Sequence, residues 1–215
     1  MSLDSKHFKF WEKYFKKLQI TILFGFILLG IGILLFGLFQ IIKSRTFQFF
    51  GGLTSRVKTS EKIIALTFDD APNKNTQEVL NILKQKNIKA TFYEIGLNIE
   101  KYPEIAKGIV DDGMEVGNHS YSHQRFLLKS LSFIDTEIQR TNTLIRKSGY
   151  KGEITFRPPN GKKLFFLPWY LHQHNMRTIM WDVEPDTYVS GNSEAIVRYT
   201  LDHTQPCLLY TSRCV

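Results

Sequence analysis

With 215 residues, 43% of them hydrophobic and 22% charged, the chain has the composition of a globular protein and room for one domain plus an appendage. Its formal charge of +8 suits anionic polymers or a membrane face, and no nucleic-acid-binding motif accompanies it. The two cysteines, Cys207 and Cys214, both fall in the last nine residues, which excludes a zinc-finger pattern and a disulfide framework.

Residues 18–42 carry no charge over 25 positions. At about 1.5 Å per residue such a helix crosses a hydrocarbon core of roughly 30 Å. The apolar region of a signal peptide is shorter, about 7 to 15 residues, and ends in a small-residue cleavage site; this run is longer and continues into KSRTFQFF. A buried core helix fits poorly, because the run is apolar on every face. The reading is a single transmembrane helix in contact with the lipid bilayer. Lys6, Lys9, Lys13, Lys16 and Lys17 precede it, and only Lys43 and Arg45 follow closely. The positive-inside rule then puts an arm of residues 1–17 in the cytoplasm and the rest of the chain outside, with Trp11, Tyr14 and Phe15 as interfacial anchors.

Residues 43–60, polar, basic and Gly-containing, read as a linker. Beyond them strands and helices alternate. Strands are expected at 62–68, 88–95, 114–117, 154–157 and 178–182, and helices at 75–86, 103–112, 130–147, 167–174 and 193–202. That order implies βαβ units and a parallel sheet, open or closed into a barrel. Functional residues of such folds gather at the carboxyl ends of strands. Asp69 and Asp70, His119, Arg157 and Asp182 all fall there.

The pair Asp69-Asp70 in TFDDAP offers a metal ligand beside a general base, since adjacent carboxylates need a cation or a raised pKa to coexist. Alone, such a pair before Pro72 is more often a turn with solvated acids. His119 and His123 in NHSYSH are spaced i to i+4, which on one helical turn lets two imidazoles reach one ion; two surface histidines share that spacing. In RPPNG, from Arg157 to Gly161, a guanidinium precedes a stiff turn. It can pair with an active-site carboxylate while the loop aims a backbone N–H at a developing oxyanion, or it can be an ordinary rigid turn.

Together and in this order, TFDDAP, NHSYSH and RPPNG resemble the first three motifs of the NodB-type polysaccharide deacetylases, carbohydrate esterase family 4. NIKATFYEIG and KYPEIAKGIVDDGMEVGNHS resemble the segments between the first two. The similarity covers residues 61–206, taken as one domain. It implies a distorted (β/α) barrel, here incomplete at the C-terminus and preceded by one transmembrane helix. It implies one divalent ion, zinc in the first instance with cobalt or manganese as alternatives, held by Asp70, His119 and His123. Asp69 is then the base that takes a proton from water, Arg157 its orienting partner, and the Asn160 backbone N–H a stabiliser of the oxyanion.

Some positions depart from the family pattern. Ala71 replaces a usual Gly and Asn160 a usual Tyr. In WDVEPDTY, aligning Tyr188 with the family's Trp puts Glu184 at the first acid and Thr187 at the second, so Asp186 serves only after a one-residue shift. Trp181 and Tyr188 are candidate walls of a sugar groove, as is Trp169. Where the family ends in a strand carrying Leu-x-His, this chain has PCLLYTSRCV, without His. His203 reads as a surface residue. The last strand and helix are expected to be missing, and residues 207–215 to be a non-native tail.

The expectation is a single-pass membrane enzyme with its domain on the extracytoplasmic side. It removes N-acetyl groups, by cleavage of a linear amide, from an N-acetylated polysaccharide of the cell envelope, peptidoglycan N-acetylglucosamine being favoured. The alternative is a tethered glycan- or metal-binding module with little turnover.

Overall fold

The computed structural model describes residues 5–57, 63–189, 192–204 and 209–213. Two compact units divide the chain, residues 1–42 and 43–215.

The first unit is helical. Helix α1 runs over Ser5–Lys43, so residues 5–17, expected as a separate arm, continue the apolar run without a break. From Phe10 to Lys43 it is long and apolar enough to cross a membrane. Its apolar side chains are exposed along its length, Ile20, Phe26 and Ile33 among them.

The second unit alternates strands and helices: β1 (Leu53–Thr54), β2 (Ala65–Ala71), α2 (Thr76–Gln85), β3 (Thr91–Glu94), α3 (Gly96–Lys101), α4 (Pro103–Asp111), β4 (Glu115–Asn118), α5 (Leu131–Lys147), α6 (Phe166–Gln173), β5 (Thr178–Ile179), α7 (Ser193–His203) and β6 (Leu209–Arg213). All strand pairings are parallel. β4, β3, β2 and β6 form one ribbon in that order, and β1 pairs with β5. Phe156 bridges Asn118 on one side and Thr178 on the other, joining the two sets. Among the described residues no strand pairing joins β1 to β6, so the expected barrel is an α/β fold of parallel strands without that closing contact.

The described part of the expected linker, residues 43–57, is more than a connector. Its β1 is part of the sheet, Arg45 donates to the Glu184 carboxylate at 3.0 Å, Arg56 donates to the Asp182 carboxylate at 2.7 Å, and the buried Lys163 ammonium donates to the Ser44 carbonyl. Its basic residues find acids on the strand-end loop after β5, which a reading of composition alone does not reveal. At the other end, residues 209–213 lie parallel to β2, with Leu209 opposite Ala65 and Arg213 opposite Asp69. The expected absence of a last strand is corrected: the edge of β2 offers N–H and C=O groups to a β-prone segment, and LYTSR of β6 takes them up. Cys207 and Cys214 lie outside the described residues.

The core follows from periodicity. Ile134, Ile138 and Ile145 stand at helical spacing on the buried side of α5, and Ser130 caps its first turn by accepting from the Phe133 N–H at 3.2 Å, as N-cap serines do. On the sheet, Phe92 and Val116 project into a helix-facing layer with Leu80, Leu83, Ile109 and Ile145. The expected strand at 154–157 shrinks to the single bridging residue Phe156, and 178–182 to Thr178–Ile179. Short α3 was not foreseen, since six residues hold too little of a helical period to register.

Candidate metal centre

Strict alternation along β2 would send Asp69 and Asp70 to opposite faces of the sheet. Thr67 and Asp69 do point to one face, where both meet Arg157, while Phe68 stacks on Phe92 in the helix-facing layer. The pairing with β3 then shifts register between Phe68 and Ala71, and Asp70 adopts a left-handed backbone, φ 63°. Such an irregularity re-aims a side chain. It brings Asp70 to the same strand-end mouth as Asp69.

His119 and His123 do not sit on a helical turn. They flank an irregular loop after β4, in which Ser120 (φ 68°) and His123 (φ 57°) are left-handed. The i to i+4 spacing is therefore realised by a bend rather than by helix geometry. Hydrogen bonds fix that bend. The Asn118 side-chain carbonyl accepts from the Ser120 N–H at 2.7 Å, and the Ser120 hydroxyl accepts from the His123 N–H at 3.0 Å. Glu137 of α5, buried, accepts from the N–H groups of Tyr121 and Ser122 at 3.0 and 2.8 Å and from the Ser122 hydroxyl at 2.8 Å. Nothing in the sequence pattern singled out Glu137; only its place on the apolar side of α5 hinted that a buried acid needs partners.

These local structures bring Asp70, His119 and His123 together, each offering a ligand atom, with all three atoms within 4.8 Å of one another. His123 Nε2 lies 3.2 Å and His119 Nε2 3.6 Å from Asp70 Oδ1. His119 Nδ1 is 2.7 Å from the Arg157 carbonyl oxygen. A carbonyl can only accept, so Nδ1 carries a proton, which leaves Nε2 as the ring nitrogen directed at the Asp70 carboxylate and available to a metal ion in the neutral tautomer. Two imidazole nitrogens and one carboxylate oxygen are a donor set that can hold a divalent ion. Strained backbone at two of the three ligands points the same way, since such conformations persist where surrounding contacts over-determine them.

Arg157 is completely buried. It donates to Asp69 Oδ1 at 2.6 Å, Thr67 Oγ1 at 2.7 Å and the Met180 carbonyl at 3.2 Å, and its guanidinium lies 4.0 Å from the centre of the Tyr93 ring. Gly117 makes room for that ring, because a Cβ there would stand 2.3 Å from it. Asp69 Oδ2 lies 4.0 Å from His119 Nε2, so one carboxylate oxygen is tied to Arg157 and the other borders the ligand cluster. Asn160 occupies a left-handed position, φ 54° and ψ 18°, in the 3-10 turn Pro159–Gly161.

The remaining candidates are not members of this three-residue cluster. Asp182 is bound to Arg56 and does not join it. Trp181 is 5% exposed, with Arg45 and Arg157 at 4.9 and 5.6 Å from its ring. Tyr188 is exposed and stacks on Tyr199, and Asp186 sits half-buried in the 3-10 turn Pro185–Thr187. Trp169 lines a separate apolar hollow. His203 is an exposed residue of α7, its ring on Tyr199. A second buried acid besides Glu137 escaped the sequence reading. Glu94 is fully buried at the end of β3, neither carboxyl oxygen has a hydrogen-bond partner among the described residues, and burial raises its pKa from 4.5 to about 8.

The fold and this donor set define an α/β protein with a candidate mononuclear metal centre at the strand ends. Residues 56–179 match the family model described as polysaccharide deacetylase, and the chain belongs to that family. It is 37% identical over 143 residues to the peptidoglycan-N-acetylmuramic acid deacetylase PdaC of Bacillus subtilis, covering 66% of this chain and 30% of that protein. It is 33% identical over 145 residues to a peptidoglycan-N-acetylglucosamine deacetylase of Bacillus cereus, covering 66% and 52%. A crystal structure of a family 4 pseudoenzyme from Bacillus anthracis superposes with a TM-score of 0.69 at 28% identity, over 75% of this chain and 58% of that one. The chain thus spans about half or less of the length of the two curated relatives.

Proposed function

We propose that the chain is a metal-dependent deacetylase of N-acetylated envelope polysaccharide, peptidoglycan N-acetylglucosamine being the favoured substrate. The observation that carries this reading is the meeting of the Asp70, His119 and His123 ligand atoms beside an Asp69 carboxylate locked by buried Arg157. A divalent ion, zinc in the first instance, held by those three residues supplies Lewis acidity toward an acetamide carbonyl and toward water. Asp69 accepts the proton of the attacking water on the oxygen that borders the cluster, while Arg157 keeps the carboxylate ionised and oriented. The Asn160 backbone, held in its stiff turn, offers an N–H to the tetrahedral oxyanion. Asp186 and Tyr188 are proposed as acid and sugar-contacting residues of the loop after β5.

Helix α1 is proposed as a single membrane span, with the domain on the extracytoplasmic side, where its relatives' named substrate, peptidoglycan, lies. Its length and apolar composition support this. A second reading, a tethered binding module without turnover, is favoured by the likeness to a pseudoenzyme.

Acetate release from N-acetylated glycan oligomers, measured on the full chain with added zinc or cobalt and repeated on Asp69→Asn, decides between the two. Release by the parent that falls by roughly 10² or more in the variant supports the hydrolase. Metal binding without release from any N-acetylated oligomer overturns it in favour of the binding module.

A further inference from the structure

The domain carries an apolar face that the metal centre does not use. A hollow of about 450 Å³ is lined by apolar and aromatic side chains, among them Phe50, Leu128, Leu131, Phe165, Phe166 and Trp169. Leu128 is 86% exposed and Phe166 51%, far from the behaviour of core residues. Leu128 also holds a left-handed backbone, φ 55°, which is rare for a bulky side chain. The loop spends strain to point an apolar group outward. Phe49 stacks on Phe165 with ring centres 4.2 Å apart and planes 13° from parallel, so the segment that follows α1 is built into this face.

Its surroundings are basic. Lys162 stands two residues before the lining Leu164, and burial together with the positive charges of Arg125, Lys43 and Arg45 lowers its pKa; of these, Arg45 is paired with Glu184. Lys129 lies over the Phe133 ring beside the same loop. Apolar and aromatic tips within a collar of Lys and Arg match the headgroup boundary of an anionic bilayer, where acyl chains receive the tips and lipid phosphates the collar. A sugar groove would need several hydrogen-bonding side chains along its walls, and the only polar group among the side chains lining this hollow is the Trp169 indole N–H. Chain length supports the same occupant: Phe50 stands seven residues beyond Lys43, a span of at most about 25 Å of extended chain.

We infer that this face rests on the anionic membrane surface, with Leu128, Phe166 and Trp169 entering the headgroup boundary. The inference rests on the proposed membrane span of α1. The loop from His123 to Leu131 joins the metal centre to this face, so a docked domain meets the glycan nearest the membrane.

Nitroxide accessibility tests it. The full chain, with Cys207→Ser and Cys214→Ser, is reconstituted in vesicles containing phosphatidylglycerol and labelled in turn at Leu128→Cys, at Leu28→Cys in α1 and at Ile82→Cys, an exposed position of α2. Collisions with oxygen should exceed those with a water-soluble nickel chelate at 28 and 128, and the reverse should hold at 82. A lipid-like label at 28 with a water-like label at 128 overturns the docking and leaves the span intact. A water-like label at 28 overturns both. Lipid-like labels at all three positions deny this face any preference and overturn it as well. Dipolar broadening at 128 without lipid exposure assigns the face to a second copy of the chain instead.

Discussion

His119 Nδ1 lies 2.7 Å from the backbone carbonyl oxygen of Arg157, while the Arg157 guanidinium binds Asp69 at 2.6 Å. One residue thus sets the tautomer of a candidate metal ligand with its backbone and the orientation of the candidate base with its side chain. The two roles can be separated by mutation. Arg157→Met removes the guanidinium and leaves the carbonyl. It should cost about 3 to 5 kcal/mol of stability, the usual penalty for stranding one member of a buried ion pair, with loss of acetate release but a smaller change in cobalt affinity. Adding Asp69→Asn should restore part of the lost stability, because the stranded charge is gone. Urea unfolding of the parent, both single variants and the double variant measures this; strictly additive losses would deny the coupling.

Glu137 holds the histidine loop by three hydrogen bonds, to two backbone N–H groups and one hydroxyl. It touches none of the ligand atoms, so its effect should appear in affinity. Loss of an outer partner of a metal ligand typically costs about 10- to 100-fold in metal binding. Glu137→Ala should fall in that range in a cobalt titration, and Glu137→Gln should lie between it and the parent, since the amide retains one acceptor oxygen. Unchanged cobalt affinity in Glu137→Ala would show that the bend holds without it.

These two relationships mark where sequence reading succeeds and where it stops. The motif residues Asp69, Asp70, His119 and Arg157 were legible because each closes a short apolar run, and parallel strands deliver such positions to one edge. The path by which they meet was not. Spacing cannot distinguish a helical turn from the left-handed bend that carries His119 to His123, nor foresee the irregularity that swings Asp70 toward Asp69. Glu137 lies on another element, and pairing across elements leaves no local pattern. The segment 43–60 looked like a linker because Arg45 and Arg56 resemble any solvated basic residues until their acids, Glu184 and Asp182, are brought near by the fold.

Removal of metal should loosen the chain as well as silence it. Asp70 and both histidines converge from the end of β2 and the loop after β4, so an ion bound there stabilises only the folded state. At a free ion concentration of 1,000 times Kd the gain is about 4 kcal/mol. Chelation should therefore lower the thermal midpoint of the parent and leave that of a His123→Ala variant nearly unmoved. Equal shifts in the two proteins would place the stabilising ion elsewhere.

Glu94 allows a prediction with a definite sign. Its carboxyl is fully buried, and burial alone raises its pKa from 4.5 to about 8. Between those values the folded state holds a proton that the unfolded state has released. Stability should then fall as pH rises through that window, at up to about 1.4 kcal/mol per unit. The contribution is complete below 4.5 and lost above about 8. Glu94→Gln keeps the shape and cannot ionise, so its stability relative to the parent should grow with pH across the window and level off on either side. Taking the difference between the two proteins cancels other titrating groups that the substitution leaves undisturbed. Urea midpoints of both from pH 5 to 9 give the curve directly. Parallel profiles would mean that Glu94 is charged in the folded protein, with a counter-cation or water at a carboxylate that lies against the hydrophobic layer of Ala71 and Phe92.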